Sequence, residues 1–595
     1  MDPTSGTMFE AVHMSLIPKG DNRGKVLVWN LRPVLCKSPT YDPTLGTNSN
    51  LWWACQAYAI VDLSPNATVR YQNFLLPIER VDPDNTTPGH GYASDLFCAG
   101  HCWTQFGDLV VVGGTKFNVA SGYTGPVMTY VFNPAANVGP FPLPSGTQPL
   151  YPPPGTAGSI PKGLWVAGPD MFAARWYAMA TLTKKIARSP VGTSLQPRPR
   201  VIIAGGSSQI PGTWSNSPWN SYEAFVVDSG CILGNSGLIV DSTPGTLPRT
   251  LWDGPGTPPP NGGGAPPFNE DWLQEYPRLH SFSNGTLFQS GYVPRGALLD
   301  HEPLTPFWTK MAAQTGRGAP YSSNWANPRH DGSSVVINIP GLYDCVMRLG
   351  GSSTVPYAAP TGTDTVEWSF GGGPWLALPK MIATDGFVDG ARTHLNAVTL
   401  PTGVVLVLGG ENNFGQAVVS PLIFADGSWH KDVPNPTFSP RRYHSAVLLL
   451  DDGNVAIGGG DPRSCDYEVY KPYYTLLPAS HKPVNLTFPS PPVFDPVLDA
   501  WELNYGAQYD IECDPFGDPD VKVQKAVLIP PGSTTHSSDM HHRYVELTTV
   551  ATSHNQVRFD MPGLSEEGVA PSGLYRLWLV TNTGAVSNAL WVVVR

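Results

Sequence analysis

A phenol and an imidazole stand side by side at Tyr443-His444, where an apolar run begins. That run reaches the turn Asp451-Asp452-Gly453 and returns as Val455-Ala456-Ile457-Gly458-Gly459. The pattern reads as a β-hairpin that ends in paired glycines. His444 lies nine residues before the turn glycine, and the same count from Gly107, Gly285 and Gly403 reaches Cys98, Tyr276 and His394. One further hairpin has too long a turn for the count. Aligning its Tyr177-Ala178-Met179-Ala180 with His444-Ser445-Ala446-Val447 puts Tyr177 in the same place. A thiol, two phenols and two imidazoles therefore share one repeated position. Alone, a Tyr or His at a strand end is ordinarily a packed or hydrogen-bonded residue, and a Cys a small buried hydrophobe. As a group they differ from what packing would select, and imidazole and oxygen donors in a tetragonal arrangement suit Cu(II).

The elements that must position these side chains are hairpins, and seven can be read along the chain. They start near Val12, Phe97, Arg175, Tyr276, Ser333, His394 and Arg441. Seven such units, with glycine pairs at matching places, predict a seven-bladed β-propeller over residues 1–481. Equivalent positions on the innermost strands of a propeller sit at one height around one axis, which would turn residues far apart in sequence into neighbours at one mouth of the channel. The runs from Pro140 to Pro154 and from Gly254 to Pro267 read as loops. Short strands at close spacing, from Val484 to Val594, predict an immunoglobulin-like β-sandwich over 482–595. The fold class expected is all-β.

Composition agrees and excludes several classes. The 595 residues hold 62 Gly and 63 Pro, only 14% are charged, and no long 3.6-period apolar pattern occurs. A net charge of −11 without a basic stripe excludes nucleic acid as the expected partner. No apolar run is long enough for a membrane span. The start, Met1 to Gly6, lacks the regions of a signal peptide, so the sequence reads as intracellular or as a trimmed mature end. Asn-x-Ser/Thr sites at Asn66, Asn85, Asn284 and Asn485, with eight cysteines, favour the secreted or cell-surface reading.

Four stretches resemble the active-site motifs of the copper radical oxidases, glyoxal oxidase and galactose oxidase. They are Phe97-Cys98-Ala99-Gly100, Ala174-Arg175-Trp176-Tyr177, Arg442-Tyr443-His444-Ser445, and Thr535-His536 followed by Arg543. The resemblance implies a kelch-like propeller followed by an immunoglobulin-like domain. It implies one copper ion held by Tyr177, His444 and His536, with Tyr443 as axial phenolate. It also implies a thioether joining Cys98 to the Tyr177 ring, which makes a tyrosyl radical easier to form. Cys98, Tyr177 and Tyr443 would be the catalytic side chains, with Tyr443 as base. His541 and His542 compete with His536 and read as surface residues; Cys102 competes with Cys98. One geometric difficulty stands out. Neighbours on a regular strand face opposite ways, so Tyr443 and His444 must sit where the strand is only beginning.

The stretches around Glu275-Tyr276-Pro277 and Asn327 to Ser334 are more similar to glyoxal oxidases. Small aldehydes or primary alcohols, with O2 and release of H2O2, become the expected chemistry, and peroxide-using peroxidases the expected partners of a monomer. His394, Tyr276, Arg175 and Arg329 are the candidate substrate contacts. Galactose oxidase covers its thioether with a Trp after Gly-Gly-Ser; here Ser208 follows, and Trp103, Trp214 and Trp219 are the alternatives. Two other readings stay open: galactose-type alcohols as substrates, and a catalytically silent propeller that binds carbohydrate or protein.

Overall fold

The structure is a computed structural model. It describes residues 11–29, 34–35, 54–55, 57–64, 71–75, 94–118, 122–135, 164–168, 171, 174–184, 200–206, 222–226, 239–240, 275–291, 297–300, 307–310, 331–352, 365–381, 390–431, 439–461 and 466–595. The fold is all-β, with three 3-10 turns as the helical elements among these residues.

Seven antiparallel blades form the propeller, and blade 5 continues into the C-terminal domain through a parallel pairing of Ile337 with Tyr544. Their innermost strands, in blade order, are His13–Leu16, Gly100–Trp103, Met179–Leu182, Leu279–Ser281, Ser333–Ile339, Asn396–Thr399 and Ser445–Leu449. The inner strand of blade 7 packs beside that of blade 1, which closes the ring. These strands are buried almost throughout because neighbouring blades cover both faces, and they carry polar residues such as His13, His101 and Ser281 beside the apolar ones. Met14, Leu16, Ala446 and Leu448, for example, share one buried cluster between blades 1 and 7.

Register explains the repeated position. Gly100 pairs with Val112, Met179 with Ala204, Ser333 with Leu349, Asn396 with Leu408 and Ser445 with Gly459. Continued by one or two residues, the ladders set Cys98, Tyr177, Asp331 and His394 opposite the second glycine of a pair, and His444 opposite Gly460, the third glycine of its run. Three of those pairs are clamped by an arginine. Arg175, Arg392 and Arg441 are buried and donate to the carbonyls of Gly205, Gly409 and Gly459 at 2.6, 3.1 and 2.9 Å. The paired glycines have no substitute here. Gly206 has φ +79°, and a Cβ on it would lie 2.7 Å from the Trp176 carbonyl oxygen.

The C-terminal part is a β-sandwich whose core includes Leu503, Ile511, Val557 and Leu577. Gly573–Thr581 is the long central strand that its sequence predicts. The expected strand at Val484 to Phe488 is absent; only Thr487 makes an isolated bridge, to Glu512. Gln508–Glu512, a strand the sequence reading did not mark although it alternates polar and apolar residues, pairs with Gln556–Asp560. One hairpin leaves the sandwich. Ser533–Thr535 pairs antiparallel with the inner strand of blade 1, His13 opposite Thr535, and turns back through Ser538–Asp539. Because it adds to the axial edge of that strand, the hairpin enters the channel, with His536 at its tip.

Candidate metal centre

All the side chains at the repeated position are held in the left-handed backbone region. Cys98 and Tyr177 both have φ 62°, Tyr276 44°, Asp331 54°, His394 56° and His444 67°. Such conformations are costly for non-glycine residues and persist where the surroundings impose them. Here the surroundings are the neighbouring blades. The Tyr177 N–H donates to the Cys98 carbonyl (3.1 Å), Tyr276 N–H to the Tyr177 carbonyl (2.8 Å), and His394 N–H to the Asp331 carbonyl (2.6 Å). Each blade hands its entry residue to the next.

The left-handed turn at His444 also removes the difficulty with Tyr443. The two side chains stand on one side of the chain, their rings 3.8 Å apart at 32°. The two phenol oxygens of Tyr177 and Tyr443 are 2.5 Å apart. The His536 ring lies 5.1 Å from Tyr177, 5.3 Å from Tyr443 and 4.9 Å from His444. Cys98 Sγ is 3.9 Å from His536 Nε2, and Cys98 packs with Tyr177, Tyr276 and Met540 in one apolar cluster. Cys102 lies in a different cluster, with Val110 and Ala180, and donates to the Trp103 carbonyl.

Hydrogen bonds fix which nitrogen of His536 faces the cluster. Thr535 Oγ1 donates its only hydrogen to the Val12 carbonyl (2.9 Å), so toward His536 Nδ1 (2.6 Å) it must accept. Nδ1 therefore carries the hydrogen, and Nε2 keeps its lone pair towards Tyr177, Tyr443 and His444. Burial, then His444 and His394, holds His536 well below the ordinary imidazole range, as a neutral ligand requires. Burial first, then Cys98 and the facing phenol, raises Tyr177 well above 10. Burial and Cys98 raise Tyr443 likewise, and its bond to Tyr177 opposes them. Only a cation between them would make these buried phenols anionic.

Among the described residues no group of three or more His, Cys, Asp or Glu is arranged to hold a metal. The convergent donors are instead two imidazoles and two phenols, a mixed nitrogen and oxygen set that fits Cu(II).

The mouth beside Tyr443 is polar. His394, 4.7 Å from the Tyr443 ring, has Nδ1 2.8 Å from Glu411 Oε1 and Nε2 3.4 Å from Asp331 Oδ2. Burial pulls its pKa down, but the Asp331 and Glu411 carboxylates outweigh this and raise it to about 9. Burial and the Asp331 charge push Glu275 up to about 8. Tyr276 packs edge-on against Tyr177 and bonds the Ala99 carbonyl at 3.3 Å.

Several sequence-based placements change. Arg175 is fully buried in the blade wall with its guanidinium on the Gly205 carbonyl, so it has no surface to offer a substrate. Arg329, Trp214 and Trp219 lie outside the described residues. Trp103 is buried between blades 1 and 2, away from Tyr177. Among the described residues it is Trp176 whose indole lies over Tyr177, 4.6 Å away at 43°. His541 and His542 are not surface residues. His541 Nδ1 bonds the Pro531 carbonyl at 2.9 Å, and His542 Nε2 meets Thr399 Oγ1 at 3.1 Å. Arg543 is buried too, and donates to the carbonyls of Ser281, Gly568 and Val569. Asp331 escaped the nine-residue count because its strand, Ser333–Ile339, runs further than the inner strands of the regular blades before the turn at Pro340-Gly341. Glu411 and Thr535 gave no periodic signal.

Comparison with known proteins agrees with this geometry. Residues 492–594 match the family model of the galactose oxidase-like, early set domain. An aldehyde oxidase GLOX of Vitis pseudoreticulata is 26% identical over 365 residues, which cover 56% of this chain and 66% of that protein. A galactose oxidase of Gibberella zeae is 26% identical over 269 residues, 42% of this chain and 36% of that protein. The chain thus spans less than two thirds of the length of these relatives. A solved fungal alcohol oxidase of the AA5 family, in complex with copper, shares the fold with a TM-score of 0.60 at 18% identity, over 99% of this chain and 98% of that one. The matches thus make the chain similar in sequence to a galactose oxidase and an aldehyde oxidase GLOX, and similar in fold to a copper-bound alcohol oxidase of the AA5 family.

Proposed function

We propose that the chain is a copper-dependent oxidase of small aldehydes or primary alcohols that passes two electrons to O2 and releases H2O2. Tyr177, Tyr443, His444 and His536 are the ligands, and Cys98 is joined through sulfur to the Tyr177 ring. One observation carries this reading. Two phenols and two imidazoles from three distant parts of the chain converge in a buried pocket, with a thiol packed against one of the phenols.

Copper, when bound, supplies a Lewis acid and a one-electron acceptor at these four donors. The chain supplies the rest. Joining Cys98 to Tyr177 removes the thiol hydrogen and one ring hydrogen; the two electrons and two protons go to O2 as H2O2. Sulfur on the ring donates electron density, so Tyr177 can hold the second oxidising equivalent. Tyr443 takes the proton of the substrate hydroxyl (for an aldehyde, of its hydrate). Tyr177 takes a hydrogen atom from the adjacent carbon. Trp176 shields Tyr177 from water, and His394, fixed by Asp331 and Glu411, offers a polar contact at the mouth.

Secretion is part of the proposal. Asn284 and Asn485 stand exposed in their Asn-x-Ser/Thr triplets, and no helix among the described residues is long and apolar enough to cross a membrane. The test is aerobic loading with Cu(II) and a peroxide assay on methylglyoxal, glyoxal, glycerol and galactose. Turnover on one or more supports the oxidase and ranks the substrates. Copper bound without turnover on any favours the silent, binding propeller.

A further inference from the structure

Two buried histidines behind the proposed thioether have no part in the chemistry above. His13 and His101 are both fully inaccessible. The backbone N–H of Cys98 donates to His13 Nε2 at 3.1 Å. His13 Nδ1 is 3.0 Å from His101 Nε2, and His101 Nδ1 is 2.5 Å from Ser533 Oγ. Ser533 Oγ in turn meets Ser15 Oγ at 2.9 Å.

The first link fixes the direction of all the others. A peptide N–H can only donate, so His13 Nε2 must accept and cannot carry a hydrogen. The remaining hydrogen of a neutral His13 then sits on Nδ1 and donates to His101 Nε2. By the same step His101 carries its hydrogen on Nδ1 and donates it to Ser533. Both tautomers are set by one amide. The rings themselves are clamped: Trp29 stacks on His13 at 4.8 Å and 8°, and meets His101 edge-on at 4.8 Å and 68°. Met540 Sδ accepts the backbone N–H of His101 at 3.1 Å.

We propose that His13 and His101 are positioning residues for the sulfur of Cys98. Together they form a one-way hydrogen-bond chain that holds Cys98 in its left-handed conformation and registers it against the hairpin that carries His536. This rests on the reading that Cys98 is joined to Tyr177.

The links of the hydrogen-bond chain come from three parts of the protein. Cys98 leads into the inner strand of blade 2, His13 begins that of blade 1, and Ser533 opens the hairpin of the C-terminal domain. The Cys98 peptide is thereby held on both sides, since its carbonyl accepts the Tyr177 N–H. A proton-conducting role does not fit. The chain starts at a peptide N–H, which is no proton source, and ends on Ser15 and Ser533, both fully buried.

The test uses full-length protein with His13→Leu, His13→Gln and His101→Leu. Three quantities are read: amide hydrogen exchange of the Cys98 peptide without copper, the rate at which Cu(II) and O2 join the Cys98 and Tyr177 peptides, and Cu(II) uptake. Loss of one buried hydrogen bond is expected to make His13→Leu exchange about tenfold faster and crosslink about tenfold slower. Copper uptake should stay at wild-type stoichiometry, because all four ligands remain. In His13→Gln the amide oxygen can still accept from Cys98, and most of the rate should return. His101→Leu breaks the chain one link further out and should show a smaller change in the same direction. Wild-type exchange in folded His13→Leu overturns the proposal, and so does a loss of copper uptake as large as the loss of crosslinking. Should the wild-type peptides never join, the thioether reading fails by itself, and exchange at Cys98 still decides whether His13 holds that residue.

Discussion

Replacing Thr535 by Val tests the orientation of the His536 ligand. The side chains are nearly equal in shape, so packing in the channel is little disturbed, but the hydroxyl makes two buried hydrogen bonds, to the Val12 carbonyl and from His536 Nδ1. Each orphaned partner costs about 1–3 kcal/mol, so the copper-free protein should lose roughly 2–6 kcal/mol of stability. The part that falls on His536 also weakens the metal site. Nδ1–H no longer has a fixed acceptor, the ring can rotate or change tautomer, and Cu(II) affinity should drop by about 10–100-fold, as for other residues that orient a ligating histidine. Thr535→Ser keeps the hydroxyl and should stay within about threefold of wild type in affinity. Competition titration with a copper chelator measures the affinity, and chemical denaturation of the apo protein measures the stability. A Thr535→Val protein that binds copper as tightly as wild type would refute the assignment of Nε2 as the ligand atom.

Three further outcomes are expected. Cys98→Ala should keep one copper per chain and lose most of its turnover, whereas His536→Ala should lose copper itself; metal analysis beside the peroxide assay separates them. Arg175→Ala should lower stability by something on the order of 3 kcal/mol through the orphaned Gly205 carbonyl and the vacated volume, and a substrate-binding role would instead show as a raised KM in folded protein. Burial, against the pull of Lys19 at 2.8 Å, pushes the Asp108 carboxyl from 3.8 up to about 6. Its protonated form is therefore favoured by the fold. The stability this contributes is complete below about pH 4 and is lost as pH rises through about 6, a change on the order of 3 kcal/mol. Denaturation at pH 4 to 7 should show that slope in wild type and a flatter one in Asp108→Asn.

Much of the architecture could be read from the chain because each blade repeats one local code: an apolar inner strand, a tight turn, a second strand and two glycines. The nine-residue count worked where the hairpin was regular, and it found Cys98, Tyr276, His394 and His444 without any knowledge of the fold. It failed at Asp331, where the strand before the turn glycine is longer. The left-handed backbone at His444 had no signal of its own, but alternation required Tyr443 and His444 to sit where the strand is only beginning, and the strand does start at Ser445. His13 and His101 looked like ordinary members of apolar strands, since the register that joins them to Ser533 links residues about five hundred positions apart in the chain. Arg175 was misread for a related reason. Its carbonyl partner, Gly205, follows the second strand of the same hairpin, across a turn too long for the spacing to reveal.

The most direct measurement is peptide mass spectrometry of the protein before and after aerobic loading with Cu(II). After loading, the Cys98 and Tyr177 peptides should run as one species, lighter than their sum by two hydrogens, and the Cys98 thiol should no longer alkylate. Two separate peptides and a fully alkylatable Cys98 in copper-replete protein would contradict the account.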